Sequence, residues 1–539
     1  MLRVGSSPGS VPSSGPTKLA IVSSEWTPKM SAGGAALDGL LVLRPLAEGW
    51  AAGPPVIVGG AIRDALLNRP IRDADIAVPG DCADFAEKAA ALLDTHVVSI
   101  GSENLSVHHL PLADGAIDVV PMQGDRISDL ARRDLPINAM ALLLSDLPNG
   151  GLAAVTRTQV IDLHGGMADL DDRVVRFTTP AVVEADPLRM IRAVRFATEL
   201  GFEIEPASRE LISKHAAKLH RVSAERVGAE IGKLFSLEGA HNGVAVLNST
   251  GLMDALFPDL TLGKGVEQRP LHVRDVYQHQ LSTHEWVNVL LSDSAPTTPL
   301  SSDLWTALWM HAGWSEISAV RARLMNHQVA LKLASLLHDI GKPATRTVEQ
   351  GGRTRFFGHA ELGAEMAEAV CRRWRLPNAV TAAAETLIRH HLRPGQVAAP
   401  GELPTSRALF RFHRDLGDAV APLCWLFLAD SLATVDASTL LPRWPGYVAH
   451  VRRIIEWAPS PRAADLRPLV DGHAVMRATG VAPGPELGRI LDLVREAIAA
   501  EEVTSEPDAL ALARQLVHVD SARPTSADPG RPDSTDRTA

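Results

Sequence analysis

The stretch "DADIAV", residues 73–78, places two carboxylates, Asp73 and Asp75, inside an apolar run. In a strand, residues i and i+2 leave the same face about 6.5 Å apart, so these side chains stand side by side. Carboxylates that close repel and raise each other's pKa unless a cation holds them. A pair of Mg2+ ions roughly 4 Å apart suits in-line attack at phosphorus, and Mg2+ takes a few carboxylates together with phosphate oxygens. Asp118, in "AIDVVPM", offers a third carboxylate from another short apolar strand that could pair beside the first. A lone DxD is more often a turn or a helix cap, but the upstream "GGAIRD" shifts the balance. Gly59 and Gly60 end a strand and expose backbone N–H groups at a helix start, a place suited to an anionic phosphate. Arg63 is expected on the next turn, facing the same anion.

A second constellation is independent of the first. "DVYQHQLSTHEW" supplies His279, "LASLLHDIGKPATRT" His338 and Asp339, "FFGHAELG" His359, "LIRHHLRP" His390 and His391, and "LADSLA" Asp430. One buried histidine is more often a satisfied core residue than a ligand. Neutral imidazoles and carboxylates recurring in the order H…HD…H…HH…D instead suit a transition metal or Mg2+ with an open water position.

The elements that must hold these groups fall into two regimes. Strand-like runs ("PPVIVGG", "DADIAV", "HVVSI", "AIDVVPM") alternate with helices up to about residue 165. From about residue 180 strand signals nearly vanish and helical periodicity takes over, as in "DPLRMIRAVRFATEL" and "SAERVGAEIGKLFSL". The fold class is therefore α+β: an N-terminal mixed sheet with helices, followed by all-α segments. "EQGGRTRFFGH" predicts a small hairpin between helices, and a Pro-rich break near 457–469 opens a final helical segment. The expected divisions are a disordered extension at 1–33, a catalytic head at 34–178, a helical neck at 179–265, a metal-binding helical domain at 266–455, a helical tail at 456–519 and a disordered end at 520–539.

At 539 residues the chain is too long for one core. Its 46% apolar and 22% charged residues are ordinary for a soluble protein, and a net charge of −10 leaves room for a local Arg-rich face. Cys82, Cys371 and Cys424 show no paired spacing and read as reduced thiols of a cytoplasmic protein. No uninterrupted apolar run approaches the ~18 residues a membrane helix needs, so no membrane partner is expected. Neither GxxxxGK[ST] nor GxGxxG occurs, which removes support for two common nucleotide folds.

"GGAIRDALLNRPIRDADI" resembles the GGxxRDxLL…DxD signature of the class II CCA-adding tRNA nucleotidyltransferases and bacterial poly(A) polymerases, and the resemblance runs from about residue 40 to 515. "RRDLPINAMAL" is similar to the family's ribose-recognising RRDFTINAMA, with Arg133, Asp134 and Asn138 at its polar positions and Leu135-Pro136 departing from its Phe-Thr. "IDLHGGMADL" resembles the next motif, and "SAERVGAEIGKLF" resembles the neck motif. "ADPLRMIRAVRF" is similar to EDxxRxLRxxRF, with Ala185 in place of the family's Glu; the resemblance implies that Asp186 and Arg189 pair with the incoming base as a protein template. Asp-Pro is itself a favourable helix start, and residues three apart share a face of the first turn. Arg192 and Arg195 are expected to continue that face toward phosphates. The histidine array resembles an HD-type metal phosphohydrolase domain, with a divalent metal such as Mg2+, Mn2+ or Ni2+.

The resemblance implies CCA addition to tRNA from CTP and ATP, with two Mg2+ ions on Asp73 and Asp75 and with Asp118 near the attacking hydroxyl. Only thirteen residues, Val119 to Ala131, separate Asp118 from Arg132, shorter than the mobile loop of many relatives. That leaves a CC-adding-only enzyme open. A bacterial poly(A) polymerase is a further alternative, although no basic GRRF-like stretch is present. In a different class, the chain is a 2′,3′-cyclic phosphodiesterase or phosphatase whose head only binds RNA.

Overall fold

The computed structural model describes residues 38–101, 106–113, 115–268, 273–350, 353–398, 402–458 and 470–521. The expected disordered extension lies outside the described residues, as does 522–539 of the expected disordered end. The last helix, Glu506–Ser521, runs two residues into the latter.

Seven short strands form the head sheet: β1 (Val56–Val58), β2 (Asp73–Val78), β3 (Val98–Ile100), β4 (Val107–Leu112), β5 (Gly115–Pro121), β6 (Met140–Leu143) and β7 (Ile161–Asp162). Their order is β3-β4-β5-β2-β1-β6-β7. β2 and β5 run parallel at its centre, and every other neighbouring pair is antiparallel. Alternation along each strand decides what each face meets. Ala74, Ile76 and Val78 of β2, with Ile117 and Val119 of β5, join the main core, where Phe85 of the helix Cys82–Leu92 is fully buried. Asp73, Asp75 and Ala77 leave by the other face, which carries only a small apolar cluster of Val56, Val58, Ala77, Leu130 and Ala141. The carboxylates therefore stand on the thinly covered side of the sheet.

Beyond the head the chain is helical, apart from the predicted hairpin (Thr347–Val348 with Thr354–Arg355) and a two-residue parallel ladder, Val174–Val175 with Glu203–Ile204, at the head's exit. One apolar core runs from Leu40 to Ile455 without a break. Its helical part is built on Val276–Leu291, Gln328–Leu337, His359–Arg373, Asn378–Arg389 and Val420–Thr434, with Trp425 and Trp444 wholly buried. The stretch 406–434 is long and apolar enough to cross a membrane by composition alone, yet 67% of its most apolar window is buried inside the protein. The tail helices Gly472–Thr479, Pro485–Ala499 and Glu506–Ser521 enclose a separate core around Ile490, Val494 and Ala513. Arg411 and Arg414 tie them on through Glu496, each at 3.3 Å.

The neck helix Ala224–Ser236 approaches the helical domain so closely that a Cβ on Gly228 would lie 1.8 Å from the Trp374 carbonyl oxygen, whereas one on Gly232 would meet nothing within 4 Å. The two glycines predict opposite results. Gly228→Ala is expected to destabilise by about 1–3 kcal/mol through overpacking, while Gly232→Ala is expected to stabilise by about 0.5–1 kcal/mol through helix propensity. Thermal midpoints of the two variants check this, and equal shifts would contradict the packing.

Candidate active sites

The register of β2 and β5 sets Asp75 directly beside Asp118 and Asp73 beside Ala116. Parallel neighbours in register share a face, so the three carboxylates leave the same face of the sheet, as expected. Gly115 fixes that register: its Cβ would stand 1.8 Å from the Arg72 carbonyl, and the next N–H, of Ala116, donates to that same oxygen at 3.0 Å. Burial pushes the Asp75 carboxyl up to about 6, with the neighbouring Asp118 and Asp73 charges adding to the rise and Arg133 opposing it. Gly59, at φ +79°, passes so near that a Cβ would sit 2.9 Å from Asp75 Oδ2. Gly60 opens the helix Gly60–Leu66, as anticipated.

Facing these carboxylates is a cleft of about 550 Å³ between head and neck. Its lining includes Asp75, Arg133, Asp134, Asp186, Arg189 and Arg192. Asp186 accepts the Leu188 N–H at 3.2 Å, capping the turn into the helix Arg189–Leu200, and receives both Nη atoms of Arg226 at 2.6 and 3.3 Å. Arg189 is half-buried, and burial draws its pKa down against the raising charges of Asp134 and Asp186. Asp134 is 7% exposed and accepts from Arg192 Nε at 2.7 Å and Asn138 Nδ2 at 3.4 Å. Burial favours the neutral acid, but the Arg192 charge and these bonds outweigh it and hold Asp134 below its ordinary value. This ion pair joins head to neck. Arg132 and Arg133 both hold the buried Asp129.

Two arginines depart from expectation. Arg63 does not line the cleft; it is 4% exposed, with Nη1 donating to Asn138 Oδ1 at 2.7 Å, Nη2 to Asp64 at 2.8 Å, and its guanidinium 4.9 Å from the Phe196 ring centre. Held in this way, it props the motif from beneath. Arg195 does not line the cleft either. Each step of three residues turns back about 60° around a helix, so by the second step from Arg189 the side chain has rotated about 120°. It ends buried, bonded to Glu230 and Glu199 at 2.7 Å each.

The second constellation assembles around one carboxylate. Asp339 Oδ2 lies 3.2 Å from His338 Nε2 and 3.5 Å from His279 Nε2, while its Oδ1 lies 3.4 Å from His359 and 3.7 Å from His391. Asp430 Oδ1 closes the first side at 3.0 Å from His279. Gly341 permits the assembly, since a Cβ there would sit 2.4 Å from the His359 carbonyl. Against the effect of burial, the charges of His338 and Lys342 hold Asp339 well below the usual carboxylate range. Burial drives His391 down to about 4, leaving a neutral imidazole. His390 is the exception. It caps the end of the helix Asn378–Arg389, and its half-buried ring lies outside both groups of converging atoms, whereas His391, one residue further along the turn, joins one of them. Lys342 donates to Asp339 Oδ2 at 2.6 Å and Gln268 Oε1 at 2.7 Å.

The second site fits a divalent cation: it offers His and Asp atoms within 4.8 Å of one another, with Asp339 Oδ1 buried and receiving no hydrogen bond. The head offers hard carboxylate oxygens of the kind Mg2+ takes, on one face of the sheet. Sequence reasoning missed His109, Asp129 and Glu230. The i+3 and i+4 spacing of Asp129 with Arg132 and Arg133 was a readable signal, whereas the His109 contact depends on strand register that no local pattern announces.

Profiles of known families match three segments. Residues 56–176 match the poly A polymerase head domain, 201–262 a probable RNA- and SrmB-binding site of polymerase A, and 317–434 the HD domain. An A-adding tRNA nucleotidyltransferase of Deinococcus radiodurans is 30% identical over 86% of this chain and 96% of its own length. A CC-adding tRNA nucleotidyltransferase of Thermus thermophilus is 31% identical over 84% and 92%. In fold, the chain is similar to the CCA-adding enzyme of Bacillus stearothermophilus in complex with CTP, with a TM-score of 0.52 at 22% identity over 90% of this chain and 98% of that one. Identity sustained over nearly the whole of both relatives shows that the chain belongs to the tRNA nucleotidyltransferase family built on the poly(A) polymerase head, with an HD domain behind the neck.

Proposed function

We propose that the chain extends tRNA 3′ ends with C and A from CTP and ATP, using no nucleic-acid template. The supporting observation is that Asp75, on the same sheet face as Asp73 and Asp118, lines a cleft that Asp186 and Arg189 also line. Mg2+ held on Asp73 and Asp75 would supply charge neutralisation at the triphosphate and a lowered pKa for the attacking hydroxyl. The 3′-oxygen attacks the α-phosphorus, the bond to the β-phosphate oxygen breaks, and pyrophosphate leaves. Asp118 stands by the attacking side. Arg133 and Arg192 face the phosphates and ribose, with Asp134 and Asn138 fixing the wall behind them. Asp186 accepts and Arg189 donates along the base edge, and the two Arg226 contacts keep the Asp186 carboxylate plane in place. The free, buried Cys82, Cys371 and Cys424 accord with a reducing cytoplasmic setting.

A CC-adding-only reading has one observation behind it. The short connection after Asp118 leaves β5 at Pro121 and is taken up by the helix Arg126–Ala131, capped by Asp125. The HD centre we read as a metal-dependent phosphohydrolase, because Asp339 stands between two sets of imidazoles and has one buried oxygen open.

Transcripts ending before C, after C and after CC, given CTP and ATP separately, test the assignment. Full CCA addition is expected on the first when both nucleotides are present; arrest at CC, A addition alone, or a long A tail would replace the reading. Asp73→Ala is expected to lower incorporation more than about a hundredfold while a tRNA gel shift stays nearly unchanged, and undiminished turnover would remove the metal-site argument. A carboxyl raised to about 6 keeps its proton below that pH, where a cation must displace it. Half-saturating Mg2+ should therefore rise by up to about tenfold per pH unit below 6 and stay flat above it. Hydrolysis of 2′,3′-cyclic nucleotides should be lost in His338→Ala and retained in Asp73→Ala; joint loss would argue against two separate centres.

A further inference from the structure

The adjacent histidines of β4 divide between the two faces of the sheet. His108 is buried, with Nδ1 2.9 Å from Ser99 Oγ on the edge strand β3. His109 leaves by the opposite face, where the β4–β5 register sets it directly across from Asp118. Its Nδ1 lies 2.7 Å from Asp118 Oδ1. Val107, two residues earlier and so on the same face, lines the cleft. Ring and carboxylate are 36% and 35% exposed, so solvent or substrate reaches both.

The three carboxylates are steadied in different ways. Asp75 is packed against the Gly59 backbone, close to Arg133. Asp118 has no such wall, and its carboxyl group turns about a terminal torsion that is intrinsically broad. A hydrogen bond to one oxygen removes that freedom and leaves the other oxygen unengaged. A planar imidazole carried on a paired strand does this with less slack than a long chain on a loop would.

We propose that His109 is a positioning residue for nucleotidyl transfer: its Nδ1–H donates to Asp118 Oδ1, sets the carboxylate plane, and leaves the second oxygen for the tRNA 3′-hydroxyl end of the reaction. This rests on the reading of Asp118 as the third carboxylate of the head. The role requires the tautomer with the proton on Nδ1. It makes β4, which carries no family motif, part of the machinery through a cross-strand pair.

The full-length protein with His109→Leu, His109→Asn, Asp118→Asn and the Leu–Asn double change tests this. His109→Leu is expected to lower kcat for CTP incorporation about 10- to 100-fold, as losses of orienting hydrogen bonds do. Its KM for CTP should stay within about twofold of the parent, with the tRNA gel shift and the thermal midpoint unchanged. His109→Asn, whose amide nitrogen can stand near the Nδ1 position, should recover most of the rate. In the Asp118→Asn background, His109→Leu should add little further loss. Parental kcat in His109→Leu, equal losses in the Leu and Asn variants, or a full additional loss on top of Asp118→Asn would each overturn the proposal. Undiminished activity in Asp118→Asn would bring down the underlying carboxylate reading as well, a result that no His109 single variant can mimic.

Discussion

Everything in the head depends on two strands running parallel in one register. Asp75 and Asp118 sit side by side because β2 and β5 align there, and that alignment begins where Gly115 lets β5 start against the Arg72 carbonyl. Burial disfavours the ionised Asp75 carboxylate, and the neighbouring Asp118 and Asp73 charges add to the rise that takes it to about 6. An arrangement that disfavours its own ionised state without a partner is poised to gain from a divalent cation.

The remaining parts of the site serve that central strand pair at increasing distance. Asp134 belongs to the head and Arg192 to the neck, and their contact, buried at Asp134 and partly open at Arg192, links the walls of the cleft. Such a pair adds little net stability when intact but leaves the buried Asp134 charge uncompensated when Arg192 is removed. Its value is therefore geometric: it fixes the distance between the carboxylates and the cleft wall that carries Asp186 and Arg189. The HD centre uses different chemistry, one carboxylate, Asp339, gathering imidazoles from several segments of the helical domain.

Local periodicity carried much of this. The same-face placement of Asp73 and Asp75, the strand bearing Asp118 and the hairpin before His359 follow from spacing within a dozen residues and are present in the fold. The helix expected to start at Asp186-Pro187 instead starts at Arg189, with Asp186 holding the Leu188 N–H in the turn before it. Where expectation failed, the missing information was rotational or non-local. Arg195 looked like a continuation of the Arg189–Arg192 face, but steps of three drift around a helix and deliver it to Glu230 and Glu199. His390 and His391 are indistinguishable as letters, and only the turn that follows the helix Asn378–Arg389 selects the second. Arg63 has the composition of a phosphate ligand, yet Asn138 and Asp64 claim its donors. His109 was invisible for the same reason: strand register is a property of pairs of segments.

Crystals soaked with Mn2+ and CTP, examined by anomalous scattering, address the carboxylate edge without reference to rate. Peaks beside Asp73 and Asp75, with the triphosphate running from them toward Arg133 and the cytosine edge at Asp186 and Arg189, are the predicted result. Nucleotide bound in the cleft with no anomalous density at those aspartates would contradict it.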